Sequence, residues 1–220
     1  MKKSIIFFVL IFFTNNLFAW TINNSLRRGF SKGTLRVVIG SDNCTNAGIT
    51  TSSLHSLVKE AMEDYWNTVP TSSLKLEDGG ISSISLNGDT TLTSAANKTE
   101  VNTIIVGCND DITSFSASIL GVGGIGCTGD DCRGAVVMND SAGSNLASAD
   151  RQTIITALSH ELGHAIGLGH SSVKGALMYY SLSNKTQKTL SQDDMDGVTY
   201  LYPNEKKLGG LAGACGTISL

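Results

Sequence analysis

His160-Glu161-Leu162-Gly163-His164 sets two histidines four residues apart with a glutamate between them. On a helix, residues at that spacing stack on one face, so both imidazoles can reach one metal ion. Three residues further on, Gly167 can take a left-handed conformation that ends the helix, and Gly169 adds a second flexible point. The chain can then turn His170 back towards the same ion. Three neutral imidazoles with a fourth position left for water are the donor set of a catalytic zinc site rather than a closed structural one. Glu161 has the reach to take a proton from that water and then pass it to a leaving nitrogen. Zinc lowers the pKa of such a water towards ~7 and polarises a carbonyl, so the expected chemistry is amide-bond hydrolysis. Three of the four histidines serve this pattern. The fourth, His55, has no partner in it and reads as an ordinary helix residue.

The elements that must position these groups follow from hydrophobic spacing. Ser148 or Asp150 opens a helix that runs to about Ile166. Its apolar residues Ile154, Ile155, Leu158, Leu162, Ala165 and Ile166 share one arc, nearly opposite the two histidines. One side would pack and the other would bind. Upstream, Leu35 to Ile39 reads as a strand, and Thr51 to Val69 as an amphipathic helix capped at Thr51 or Ser52, with Pro70 beyond it. Ser73 to Leu76 and Asn102 to Val106 read as further strands. Ile81 to Lys98, rich in Ser, Thr, Asn and Gly, reads as a long surface loop. Ile119 to Gly134 reads as an irregular glycine-rich loop, and Gly134 to Met138 as a fourth strand. A last helix begins near Ser191, where Ser-x-x-Asp is a capping signal, and ends at Leu201 before Pro203. This α/β alternation fits one domain over residues 20–203, followed by a flexible tail over 204–220.

Composition limits the partners. The 220 residues are 41% hydrophobic and 16% charged with a net charge of −3, which excludes a disordered chain and disfavours a nucleic-acid binder. Met1-Lys2-Lys3, the apolar run Ile5 to Phe13 and the small Ala19 form the three parts of a secretory signal peptide over residues 1–19. The run is too short to span a bilayer, so no stable membrane association is expected after cleavage, and the destination is extracellular or periplasmic. In that oxidising setting the five cysteines can pair. Cys127 and Cys132 flank a turn-rich Thr-Gly-Asp-Asp. Cys44 and Cys108 each lie just past a strand and could bridge neighbouring strand ends. Cys215 is left over.

HELGHAIGLGH from His160 to His170 resembles the extended signature of the metzincin metalloproteases, and Met178 in Ala176-Leu177-Met178-Tyr179 resembles that clan's Met-turn. Leu190 to Val198, with Ser171 after the third histidine, is similar to the matrixins, the matrix metalloproteinase family. The resemblance covers roughly Thr34 to Tyr202. It implies an α/β (α+β) zincin-like fold: a twisted, mostly parallel mixed sheet with one antiparallel edge strand, an active-site helix and a C-terminal helix. It implies one catalytic Zn2+ held by His160, His164 and His170, with Glu161 as catalytic base, and a hydrophobic floor from Met178. It also implies buried hydrogen bonds from Asp193 and Asp194 that support the Met-turn or the N-terminal region. Gly134 to Met138 would be the edge strand, pairing with an extended peptide substrate, and a side-chain pocket would lie around Tyr179 to Ser183.

Departures from the family also carry expectations. Tyr180 stands where matrixins usually have proline; metzincins with tyrosine there can use it to hydrogen-bond the developing oxyanion, which makes Tyr180 a second catalytic candidate beside a simple packing role. Glu100 to Ala149 has no histidine for the family's second zinc. Asp110, Asp111, Asp130, Asp131 and Asp140 lack calcium-loop spacing, so calcium is left unassigned. About fifteen residues, none of them cysteine, separate Ala19 from the first strand. That leaves no cysteine-switch propeptide, and the Cys215 thiolate is a candidate substitute. The reading is a secreted, monomeric zinc endopeptidase. A zinc-binding adhesion or surface domain without activity, and an amide hydrolase for small or cell-wall peptides, are the alternatives.

Overall fold

The computed structural model describes residues 20–23, 28–181 and 189–204. The segment read as a signal peptide, residues 205–220 of the tail, Cys215, and the part of the expected pocket at 182–183 lie outside the described residues.

Alternation of apolar residues along the strands builds a sheet that is covered on both faces. Strands β1 (Thr34–Ile39), β2 (Lys75–Ile81), β3 (Thr103–Asn109), β4 (Gly121–Thr128) and β5 (Asp131–Asn139) lie in the order β2-β1-β3-β5-β4. All neighbouring pairs are parallel except β4 with β5. Leu35, Val37 and Ile39 of β1, with Ile104, Val106, Val136 and Met138, enter the main core; Val38, Ile105, Ala135 and Val137 point to the other face. That alternation follows from successive strand side chains pointing to opposite faces. The main core is closed by α1 (Thr51–Glu63) and α3 (Arg151–Ala165), whose residues pack together in one buried cluster. The other face is closed by the short α2 (Leu92–Ala96) with Leu86, Ile112 and Phe115. The expected fold class holds: a mixed, mostly parallel sheet with one antiparallel edge.

Which strand forms that edge is a correction. Ile119 to Gly134 is not an irregular loop, and Gly134 to Met138 is not the edge. Gly121–Thr128 is a strand that pairs antiparallel with β5 from Gly121↔Met138 to Thr128↔Asp131, so β5 is interior and β4 takes the rim. The run GVGGIGCT hides its strand character because glycine has no side chain to give β-propensity. The turn, however, was legible: Gly129 and Asp130 form a two-residue hairpin loop, with Gly129 at φ 59°. Three smaller differences have local causes. The first helix is capped by Thr50 and ends at Glu63, after which Trp66–Thr68 tightens into a 3-10 turn. The second strand is longer than its apolar core and runs to Ile81. The segment read as a loop over 81–98 contains α2, capped by Thr91.

Both expected disulfides are present. Cys127–Cys132 crosses the hairpin, and Cys44–Cys108 ties the loop after β1 to β3. His55 is not solitary: its Nε2 lies 2.7 Å from Asp78 Oδ1 on the neighbouring β2. Sequence separation concealed that pair.

Candidate metal centre and cleft

Helix α3 begins where Asp150 accepts a hydrogen bond from Thr153 N–H, a side-chain cap that satisfies one orphan donor. Every residue from Ile154 to Ala165 is buried. The apolar arc packs into the core as expected, and the arc with the histidines is also shielded from solvent although it lines the cleft. Trp66 Nε1 donates to Ser159 O at 2.8 Å, and a Cβ at Gly163 would overlap Met178 Sδ and crowd Trp66. On the β4 side, a Cβ at Gly123 would overlap Glu161 O, so only glycine lets the edge strand approach the helix this closely. Gly123 is a site residue that sequence reasoning missed.

The helix ends as expected. Gly167 takes φ 113°, while Gly167 N–H and Leu168 N–H donate to the carbonyls of His164 and Gly163. The chain turns, and His170 comes back towards the other two histidines. One ring nitrogen from each of His160, His164 and His170 lies within 4.8 Å of the others, the one such cluster among the described residues. His164 Nε2 and His170 Nε2 are 3.2 Å apart.

The hydrogen bonds behind the rings decide which nitrogen faces inward. His160 Nδ1 is 2.7 Å from Leu177 O, and His164 Nδ1 is 2.8 Å from Leu168 O. A carbonyl can only accept, so each Nδ1 carries the proton and each Nε2 presents its lone pair to the cluster. Burial, with the neighbouring His170, holds His164 down to about 4, against a weaker opposing hydrogen bond to Leu168, so it is neutral at ordinary pH. Neutral imidazoles with inward-facing lone pairs are the donor type that suits a zinc ion.

Below the rings, Met178 is buried against Gly163, as expected for the floor. Its turn is held from α4 (Gln192–Leu201). Buried Asp194 accepts from Leu177 N–H at 2.7 Å and Met178 N–H at 2.9 Å, and it completes a capping box with Ser191. Ser171 Oγ donates to Asp193 Oδ2 at 2.6 Å, and Ser171 N–H donates to Met178 O at 2.8 Å. The two aspartates and the serine therefore tie together the loop after the third histidine, the Met-turn and the last helix.

That combination of trio, turn and capped helix matches a family model described as matrixin over residues 80–203, more than half of the chain. The chain is a matrixin. Similar proteins include metalloendoproteinase 1-MMP of Arabidopsis thaliana, 45% identical over 73 residues, which are 32% of this chain and 19% of that protein. Metalloendoproteinase 1 of Glycine max is 54% identical over 44 residues, 20% of this chain and 14% of its own length. Neutrophil collagenase of Homo sapiens is 49% identical over 45 residues, 20% of this chain and 10% of its own. The chain thus matches less than a fifth of the length of each of these relatives. Matrixins use a catalytic zinc, and this matrixin has the histidine trio placed to bind one.

The trio opens on a cleft of about 1070 Å³ bordered by Leu120 to Gly123 on one side and by Tyr180 and Ser181 on the other, with Glu161 inside it. Burial pushes the Glu161 carboxyl up to about 8, against a weaker lowering from the Gly123 N–H bond. In the metal-free chain the folded state therefore keeps a proton that the unfolded chain releases from about 4.5 upwards. This contribution is complete below pH 4.5 and is lost as the pH rises through about 8. His164 acts in the opposite sense: its contribution is present above 6.5 and is lost as the pH falls through about 4. The two oppose each other at mildly acid pH, and only the Glu161 slope remains above neutrality. Relative to Glu161→Gln, the chelator-treated wild type should lose on the order of a few kcal/mol between pH 5 and 8. Urea midpoints measured across that range check this, and parallel pH profiles for the two chains would contradict it.

Proposed function

We propose that this matrixin is an exported zinc endopeptidase in which His160, His164 and His170 hold the ion and Glu161 moves the proton. The observation that supports it best is the convergence of three oriented ring nitrogens beside a buried carboxylate, on a cleft bordered by the outer edge of the sheet. A zinc ion held by His160, His164 and His170 would acidify a water and polarise the scissile carbonyl. With the charge of a bound metal ion holding it ionised, Glu161, anchored by Gly123, would take the proton from the attacking water and deliver it to the departing amine nitrogen. An extended substrate adds to β4, the edge strand that borders the cleft, so main-chain hydrogen bonds hold it while side chains enter the cleft.

Tyr180 is the second catalytic residue in this reading. It is 67% exposed and lines the cleft, whereas a packing tyrosine is buried as Tyr65 is. Its phenol hydrogen-bonds the oxyanion, so Tyr180→Phe should lower kcat about 10²-fold with KM little changed. Unchanged turnover in that variant removes the role.

Residues 1–19 act as the signal peptide, 20–203 as the catalytic domain and 204–220 as a tail, and the exported chain begins at Trp20. No helix among the described residues is long and apolar enough to cross a membrane. The deciding assay incubates the chain with a diverse peptide library, with and without a zinc chelator. Internal cleavage that stops with chelator and returns with zinc is expected. Cleavage that persists without metal, or zinc binding with no cleavage of any peptide, overturns the reading, the latter in favour of a binding domain.

A further inference from the structure

His160 and His164 are fixed by a buried helix, but His170 is exposed and sits on a loop. What holds that loop from outside is the segment Trp20–Asn23. Asn23 N–H donates to Gly167 O at 2.8 Å, Gly169 N–H donates to Thr21 O at 2.7 Å, and Ile22 bridges Leu168 in antiparallel fashion. Thr21 Oγ1 adds a hydrogen bond to the carbonyl of His170 itself, at 2.9 Å. The segment is anchored at its other end on α4, where Trp20 packs against Gly197 and stacks on Tyr200 with centroids 4.8 Å apart. Gly169 lies so close beneath this strand that a Cβ there would overlap Thr21 Oγ1.

We propose that Trp20–Asn23 is a strap that sets the position of His170, with Thr21 as its positioning residue. This rests on the assignment of the three histidines as metal ligands. A ligand on an unsupported loop must be ordered at the moment of binding, and that ordering weakens affinity; a paired strand orders it beforehand. Groups behind a metal ligand commonly change affinity 10–100-fold when lost.

The test measures zinc affinity by competition with a chromophoric chelator. Thr21→Val keeps the shape and the main-chain pairing but removes the hydroxyl donor, and it should weaken zinc binding about 3- to 10-fold. Thr21→Ser, which restores the donor, should stay within about twofold of wild type. Gly169→Ala, which displaces the strap, should weaken binding about 10- to 100-fold. The unfolding midpoint of the zinc-free chain is measured beside each affinity. A strap that serves stability alone would lower that midpoint and leave affinity unchanged. Wild-type affinity in Thr21→Val and Gly169→Ala overturns the strap while the protease reading stands. A wild-type chain that binds no zinc overturns the metal assignment itself. Should Gly169→Ala fail to fold, the Val and Ser pair decides.

Discussion

Glu161→Gln is expected to reduce kcat/KM for peptide cleavage about 10³-fold while the purified chain still takes up one zinc ion. The substitution keeps size and shape, and its amide oxygen can still accept the Gly123 N–H. It removes only the group able to gain and lose a proton. The three histidines are untouched, and the Nδ1 atoms of His160 and His164 remain tied to the carbonyls of Leu177 and Leu168. Metal content and cleavage should therefore separate. Turnover within tenfold of wild type would mean that another base serves the water, and the proton role assigned to Glu161 would have to be abandoned. Loss of the zinc together with the activity would instead make the residue a support of the site.

The second large effect is on stability. Asp194→Ala should destabilise the protein by about 3–5 kcal/mol, because it strands Leu177 N–H and Met178 N–H in a buried turn. It also dissolves the capping box at Ser191. For a domain of this size that corresponds to a fall in Tm of about 10 °C. Asp194→Asn should be nearly as damaging. One carboxylate oxygen faces Leu177 N–H and the other faces Met178 N–H, so either amide orientation sets an NH2 against a donor. Calorimetry of both variants checks this, and a loss below about 1 kcal/mol in Asp194→Ala would show that water replaces the carboxylate. Because Leu177 O also receives His160 Nδ1, zinc affinity should fall with the turn.

Much of this molecule is local, and local features are legible. Helix α3 follows from a 3.6-residue apolar period after Asp150, and α4 from Ser-x-x-Asp before its first turn. β1 and β3 are β-branched runs, and the turn-rich segment between Cys127 and Cys132 makes their pairing readable. Cys44–Cys108 is readable only as a candidate bridge, and it joins the loop after β1 to Cys108 within β3. The errors have two causes: glycine hides strand character in β4, and in the other cases the partners lie far apart in the chain. β4 is mostly glycine and becomes a strand because β5 offers it a ladder and α3 leaves room for nothing larger than Gly123. His55 finds Asp78 only once α1 packs beside β2. Trp20–Asn23 carries no strand pattern and acquires one only against the loop that bears His170.

The sequence by itself determined that His160, His164 and His170 converge with Glu161 beside them, because i, i+4 spacing and a helix-ending glycine are properties of a single short segment. The tertiary structure alone decided which ring nitrogens of His160 and His164 face inward, which strand forms the rim of the cleft and which segment pairs with the loop that bears His170. Leu177 O behind His160 and the Thr21 and Asn23 backbone beside the His170 loop come from other parts of the chain. Even the nearby Leu168 O and the β5 ladder are set by how the chain turns and packs, which residue spacing does not encode.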